Sequence, residues 1–360
     1  MPRLMTRAWV EIDLGALVRN GERFARAAGV PLLPMVKADA YGLGAVRVAN
    51  ALLPLQPWGF GVATIEEGEE LRRAAIELPI LVFNPLLPTQ FDAARRARLR
   101  PVLGDRGAIE RWIRSDDPWH LAIDTGMNRA GVPWREIASV VDLVAVQAPE
   151  GACTHFHSSQ LPNGSREEQE RRFAQAVDQL PVKPKLLHAD NSAAIEHRAP
   201  SPYQLARPGI FLYGVGSGHR ATIEPDPVVA VRGRIVEVRV VQKGDSVGYD
   251  ASWKAPRAGR IATVGLGYAD GYRRALGNKV QALLKGERVS VVGFVTMDLT
   301  MLDVTDKGCA VGDVVTFLGR DEDTLLSVDE IATAGGFSPY ELLTGLRARL
   351  PRTYTGIADS

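Results

Sequence analysis

Eight short apolar runs, separated by helical patterns, occupy the first 215 residues, and this alternation limits the fold more than any other feature of the chain. The runs are LLPMV (32–36), WGFGVA (58–63), PILVF (79–83), RPVLG (100–104), HLAID (120–124), GACTHF (151–156), KLLHA (185–189) and GIFLYG (209–214). Between them lie TIEEGEELRRAAI, TQFDAARRARL and SREEQERRFAQAVDQL, with helical spacing and charged faces. Short, almost uncharged runs suit strands buried on both faces. Alternating β and α segments build parallel sheets. Eight strands in this length predict an α/β fold, a closed (β/α)8 barrel of the TIM type rather than an open doubly wound sheet.

Beyond residue 222 the pattern changes. EPDPVV (224–229) is a Pro-rich joint, followed by β-branched runs punctuated by glycine at 230–250, 260–271, 280–305 and 312–319. These predict a second, mostly β domain over 223–360, with one helix at SVDEIATAGG. The barrel domain then spans 1–222, and its first ten or so residues are free to pack with the second domain.

At 360 residues the chain can bury two cores. Its 43 basic and 42 acidic side chains leave a net charge of +1 and are interspersed, so no basic face points to nucleic acid. Two cysteines, Cys153 and Cys309, exclude a disulfide framework and fit a reducing compartment. The start MPRLMTRAWVEID lacks a signal-peptide apolar stretch, and no segment is long and apolar enough to span a bilayer. The expectation is a cytoplasmic protein.

A barrel carries its chemistry at the carboxyl ends of its strands. In order these ends offer Lys37 and Tyr41 (MVKADAYGLG), Asp124 and Arg129 (IDTGMNRAG), and His155 (CTHF). Asn191 and Ser192 (HADNSAA) follow, then Arg207 and Gly209 (ARPGIFLYG). Singly, each has an ordinary explanation: a surface lysine, a rim histidine, a helix cap at DNSAA, a turn at RPG. Together they specify a ligand. Gly209 admits close backbone approach, NSAA opens a helix, and Tyr41 and Ser192 add hydroxyls, which suits a phosphate. A lysine amine forms a Schiff base with an aldehyde. An arginine donates to a ring nitrogen without giving up its proton. Phosphate, aldehyde and ring nitrogen together describe pyridoxal phosphate (PLP).

The chain resembles the alanine racemases, fold-type III PLP enzymes, over nearly its whole length. The resemblance rests on AWVEIDLGAL (8–17), VKADAYGLG (36–44), IDTGMNRAG (123–131), THF (154–156) and NSAA (191–194). RPGIFLYG (207–214), VGYDASW (247–253), GLGYADGYRR (265–274) and TMDLTMLDVT (296–305) complete it. It implies racemisation of L- and D-alanine through a PLP external aldimine. Lys37 would carry the cofactor and then act as base on one face of Cα. Tyr249, contributed by the partner subunit of a homodimer with shared sites, would serve the other face. Tyr41, Asn191, Ser192 and the backbone of Gly209 and Ile210 would hold phosphate. Arg207 would pair with the pyridine nitrogen, with His155 supporting both ring and Arg207. Arg129 would contact the phenolic oxygen and the substrate carboxylate. Met297, through its N–H, and Asp298 would meet the substrate from the second subunit, with Tyr268 and Arg274 along the access path. No metal, nucleic acid or membrane enters this reading.

Two bases must flank a planar carbanion for racemisation. Free Lys and Tyr titrate near 10.4 and 10, too high for bases at neutral pH, and nearby cations lower such values. The chain departs from the family pattern in four places. Ala122 stands where many members carry a carbamylated lysine that orients the GMNR arginine, so that either a bound anion such as chloride steadies Arg129 or Arg129 is held more loosely. Phe294 replaces an arginine on the access path, Gln160 a gate aspartate, and Ala348 a phosphate-binding tyrosine. An altered gate leaves a serine or broad-spectrum racemase open as an alternative. A basic amino-acid decarboxylase and a non-catalytic PLP carrier are the other competing readings.

Overall fold

The computed structural model describes residues 6–357. Six of the apolar runs become strands that pair in parallel and in chain order. They are Phe60–Val62, Ile80–Val82, Arg100–Leu103, His120–Asp124, Gly151–Cys153 and Leu186–His188. Val132–Pro133 adds a short parallel pairing to His120–Asp124. Residues 32–36 join the ring through single bridges, Leu32 to Ala206 and Met35 to Gly61. Pro31 and Pro34 remove two N–H donors from this stretch, so no continuous ladder forms there.

The eighth run does not form the expected strand. Ile210–Tyr213 is a 3₁₀ turn, and the segment just before it closes the barrel. Leu33 and Met35 donate to the carbonyls of Ala206 and Pro208, both at 2.8 Å, and Arg207 donates to Asp190 at 2.9 Å on the other side. Pro208 cannot donate to a ladder, and the next amides turn inward, Gly209 and Phe211 donating to Ser192 Oγ at 2.9 and 3.4 Å. GIFLYG is apolar because all of Ile210–Tyr213 is buried. Its periodicity could not show that its hydrogen bonds go elsewhere.

In the second domain the 13-residue strand Val229–Val241 organises a nine-stranded sheet. Its pairings with Gly259–Val264 and Val314–Asp321, together with those of Thr300–Asp303, Glu287–Val292 and Gln281–Leu284, close a ring of six antiparallel strands. The N-terminal strand Ala8–Asp13 belongs to this sheet, between Val229–Val241 and Arg352–Thr355. The chain enters the barrel only at the helix Leu14–Ala28, which Asp13 caps by accepting from Ala16 N. The helix anticipated at 327–336 is Val328–Gly335, and a second, Pro339–Thr344, follows.

One polar clamp ties the barrel to the Pro-rich joint, and a second ties the start of the chain to the second domain. Asn20 donates to the carbonyl of Asp226 at 2.9 Å and accepts from its N–H at 2.7 Å, pinning the Pro-rich joint. Arg7 makes a two-point pair with the buried Asp270, at 2.7 and 3.0 Å. Asp270 of the GYADGY motif is thus a structural carboxylate. No helix among the described residues is long and apolar enough to cross a membrane.

Candidate active site

Lys37 leaves the barrel rim where the apolar run 32–36 ends. The next four residues, Ala38–Tyr41, have φ between 51° and 58°, a turn of left-handed helix built without glycine. Such a conformation costs roughly 1–2 kcal/mol per residue, so neighbouring contacts must hold it. Ala38 N donates to Glu67 Oε1 at 2.7 Å, Ala40 N to the Val36 carbonyl at 2.9 Å, and Asp39 Oδ1 accepts from Ala45 N at 2.7 Å. Gly42, at φ 85°, ends the turn against the Leu343 carbonyl, where a Cβ would approach to 2.7 Å. The turn carries Lys37 at one end and Tyr41 at the other, and both line a cavity of about 730 Å³ at the carboxyl ends of the strands.

The same cavity gathers Asp124, Arg129, His155, Asn191, Ser192, Arg207, Gly209 and Ile210. Tyr41, Ser192 and Gly209 converge tightly. A Cβ on Gly209 would sit 2.6 Å from Tyr41 Oη, so only glycine leaves this space open. Asn191 caps the helix Ser192–His197, its Oδ1 accepting from Ala194 N and from Ser159 Oγ. Asp124 Oδ1 accepts from the amides of Gly126, Met127 and Asn128, shaping the loop that carries Arg129.

Arg207 is buried on the cavity floor. Its guanidinium donates to the carbonyls of His188, Thr154 and Ala189 and lies 2.9 Å from His188 Nδ1 and 3.4 Å from His155 Nδ1. Burial, with Arg207, Arg129 and Lys37 nearby, pushes His155 down to about 3, so its ring is neutral. Burial, followed by Arg129 and then Arg207, lowers the Lys37 amine, opposed by Glu67. Burial pushes the Cys153 thiol up to about 11, an inert part of the lining. Behind Arg207, His188 contacts His120 at 2.8 Å, His120 contacts Glu150 at 3.3 Å, and Glu150 pairs with Arg100 at 2.5 Å.

Tyr249, Tyr268, Met297 and Asp298 do not line this cavity. They lie on the second domain, where Tyr249 is 67% and Met297 53% exposed. Asp298 pairs with Arg349 at 2.7 Å. Arg274 stacks on the Phe294 ring at 4.1 Å and reaches Asp250, next to Tyr249, at 3.9 Å. Sequence reasoning missed Glu67, His120, His188, Glu196 and Tyr340. The last two line the cavity: Tyr340 packs 5.9 Å from the Tyr41 ring, and Glu196 accepts from Ser217 N at 2.6 Å. The one available signal was a histidine inside each of the runs HLAID and KLLHA.

Two family models cover most of the chain, the alanine racemase N-terminal domain over residues 12–217 and the C-terminal domain over 228–354. Alanine racemase from Synechocystis sp. is 37% identical over 368 residues, covering 96% of this chain and 98% of that protein. Alanine racemase from Sorangium cellulosum is 39% identical over 378 residues, covering 97% and 98%. The chain belongs to the alanine racemase family. A solved structure of alanine racemase from Bartonella henselae, with covalently bound pyridoxal phosphate, matches with a TM-score of 0.90 at 28% identity, over 97% of this chain and 100% of that one.

Against the alanine racemase pattern, the departures have visible consequences. Ala122 lines the cavity, and Arg129 makes no hydrogen bond or ion pair among the described residues. Ala348 is exposed and does not line the cavity, while Tyr340 reaches it from the helix Pro339–Thr344.

Proposed function

We propose that this chain is a PLP-dependent alanine racemase that moves protons with Lys37 on one face of the substrate and the partner subunit's Tyr249 on the other. The observation that carries the reading is one cavity holding an amine with a lowered pKa, a buried arginine, and a cradle that a single added Cβ would fill. Those features fit an aldehyde, a ring nitrogen and a phosphate. Bound there, PLP would supply a carbonyl for amine attachment and a ring that delocalises the electrons of the broken Cα–H bond.

The protein's own groups do the rest. Tyr41, Ser192 and the Ile210 amide would hold the phosphate, with Gly209 leaving the space open and its own amide donating to Ser192 Oγ, and with Asn191 fixing the helix start behind them. Arg207, held by three carbonyls, would donate to the ring nitrogen while staying protonated, which weakens the ring as an electron store and shortens the carbanion's life. Neutral His155 would lie against the ring. Arg129 would meet the substrate carboxylate. Lys37, with its pKa lowered by burial and by Arg129 and Arg207, would be better able to accept and return a proton at Cα than a free lysine.

A second base is missing from the cavity of one chain. Tyr249 is exposed beside Val240, 71% exposed, and Leu299, 38% exposed, around a groove that Met301 also lines. An apolar surface of this kind supports a homodimer in which this face covers a neighbour's cavity and brings Tyr249, Met297, Asp298 and Tyr268 to it. The test is a panel of single-enantiomer amino acids in deuterated water. Alanine should lose optical activity from either enantiomer with deuterium entering at Cα. No exchange with alanine would contradict the reading, and serine in the same panel reads substrate breadth.

A further inference from the structure

Glu67 ties together two loops of the barrel rim. Its Oε1 accepts from Ala38 N at 2.7 Å, and its Oε2 accepts from Ala63 N at 2.7 Å and Thr64 N at 3.4 Å. Ala38 directly follows Lys37 and opens the left-handed turn, and Ala63 follows the strand Phe60–Val62. Thr64 Oγ1 accepts from Glu67 N in return, a capping box at the start of the helix Ile65–Arg73. An ordinary capping box uses one carboxylate oxygen. Here the second oxygen leaves its own helix and takes the amide beside Lys37.

The chemistry of this contact is specific to a carboxylate. Amides from two loops, Ala38 on one side and Ala63 with Thr64 on the other, point at one side chain, and an ionised carboxylate accepts at both oxygens. A glutamine at 67 would accept from one amide and turn its NH2 toward the other, donor against donor. The charge matters too. The groups acting on the Lys37 amine are Arg129 and Arg207, both cationic, and Glu67, the anion opposing them, with neutral His155 nearby.

We propose that Glu67 is the positioning residue of the reactive lysine: it holds the Ala38 and Ala63 amides together, fixing how Lys37 leaves the rim, and keeps a negative charge beside the amine. This rests on reading Lys37 as the amine that takes the cofactor.

Two measurements separate geometry from charge, neither using catalysis. Amide hydrogen exchange on the protein as purified reads the clamp. Competitive acetylation of the hydroxylamine-stripped protein, with the Lys37 peptide quantified by mass spectrometry, reads the amine's titration. Glu67→Gln should speed exchange at Ala38 or Ala63 by about tenfold and move the Lys37 titration to lower pH. Glu67→Asp, too short to span both amides, should speed exchange while leaving the titration near wild type. Glu66→Gln, an exposed neighbour, should change neither. Wild-type exchange and titration in Glu67→Gln would overturn the proposal. If Glu67→Gln fails to fold, unchanged exchange in Glu67→Asp overturns it. Borohydride reduction of PLP-loaded wild type tells the two readings apart: trapping at another lysine defeats the cofactor assignment and leaves the clamp measurements readable.

Discussion

Arg207 Nη1 lies 2.9 Å from His188 Nδ1, and this contact fixes the tautomers of two buried histidines. Arginine can only donate, so His188 Nδ1 must accept and a neutral His188 carries its proton on Nε2. That proton points at His120 Nδ1, 2.8 Å away, which places the His120 proton on Nε2, facing Glu150 Oε2 at 3.3 Å. A single chain of donors therefore runs from the cavity floor to the opposite end of the barrel.

The chain requires neutral rings, and burial supplies the reason. Burial, then Arg207 and His120, pushes His188 well down from 6.5, and burial lowers His120 against the opposing pull of Glu150. His155 is lowered to about 3. These folded values lie below the unfolded one near 6.5, so the unfolded chain binds more protons in mildly acidic solution. Their contribution to stability is complete above about pH 6.5 and is lost as pH falls below it. Ring ¹⁵N NMR should show neutral His188 and His120 with Nε2–H at pH 6, and urea midpoints should fall from pH 7 to pH 5. Imidazolium signals from either ring in folded protein at pH 6 would contradict this.

Gly209→Ala should destabilise the protein by about 1–3 kcal/mol, because the new Cβ meets Tyr41 Oη at 2.6 Å. Adding Tyr41→Phe should recover most of that loss, since the next Tyr41 atom lies at 3.5 Å, an ordinary contact. Recovery of stability should not bring recovery of PLP affinity, because the hydroxyl is gone and the cradle remains filled. Urea titration and PLP binding of the four proteins in this cycle check both statements. Equal stability of Gly209→Ala and wild type would refute the steric reading.

Sharing of the site predicts complementation. Lys37→Ala and Tyr249→Phe chains should each be nearly inactive alone. Refolded together in equal amounts, half the dimers are mixed, and each mixed dimer holds one site with both bases. Activity should return to about one quarter of the wild-type value per site. No recovery, with mixed dimers verified by mass, would place Tyr249 outside the partner's site.

The barrel was legible because burial on both faces leaves continuous apolar runs, and Lys37 was legible because it stands where the run 32–36 stops, with His155 near the end of 151–156 and Arg207 just before 209–214. The closing segment was misplaced because a buried 3₁₀ turn and a buried strand have the same composition. Pro208 and the inward bonds to Ser192 separate them, and the latter depend on a residue 17 positions away. The left-handed turn left no trace, since KADAY contains no glycine and is held from outside by Glu67. Glu67 itself was hidden among the acidic residues of EEGEEL, where a solvated helix face explains every one equally well. His120 and His188 lie inside strands, where a histidine carries no spacing signal and only the fold sets one against the other.

The amine of Lys37 is the group on which cofactor attachment turns. Purified protein loaded with PLP, reduced with borohydride, digested and mapped should carry the pyridoxyl group on the peptide containing Lys37, with the Lys37→Ala chain unlabelled. A pyridoxyl group on any other lysine, with Lys37 recovered unmodified, would contradict it.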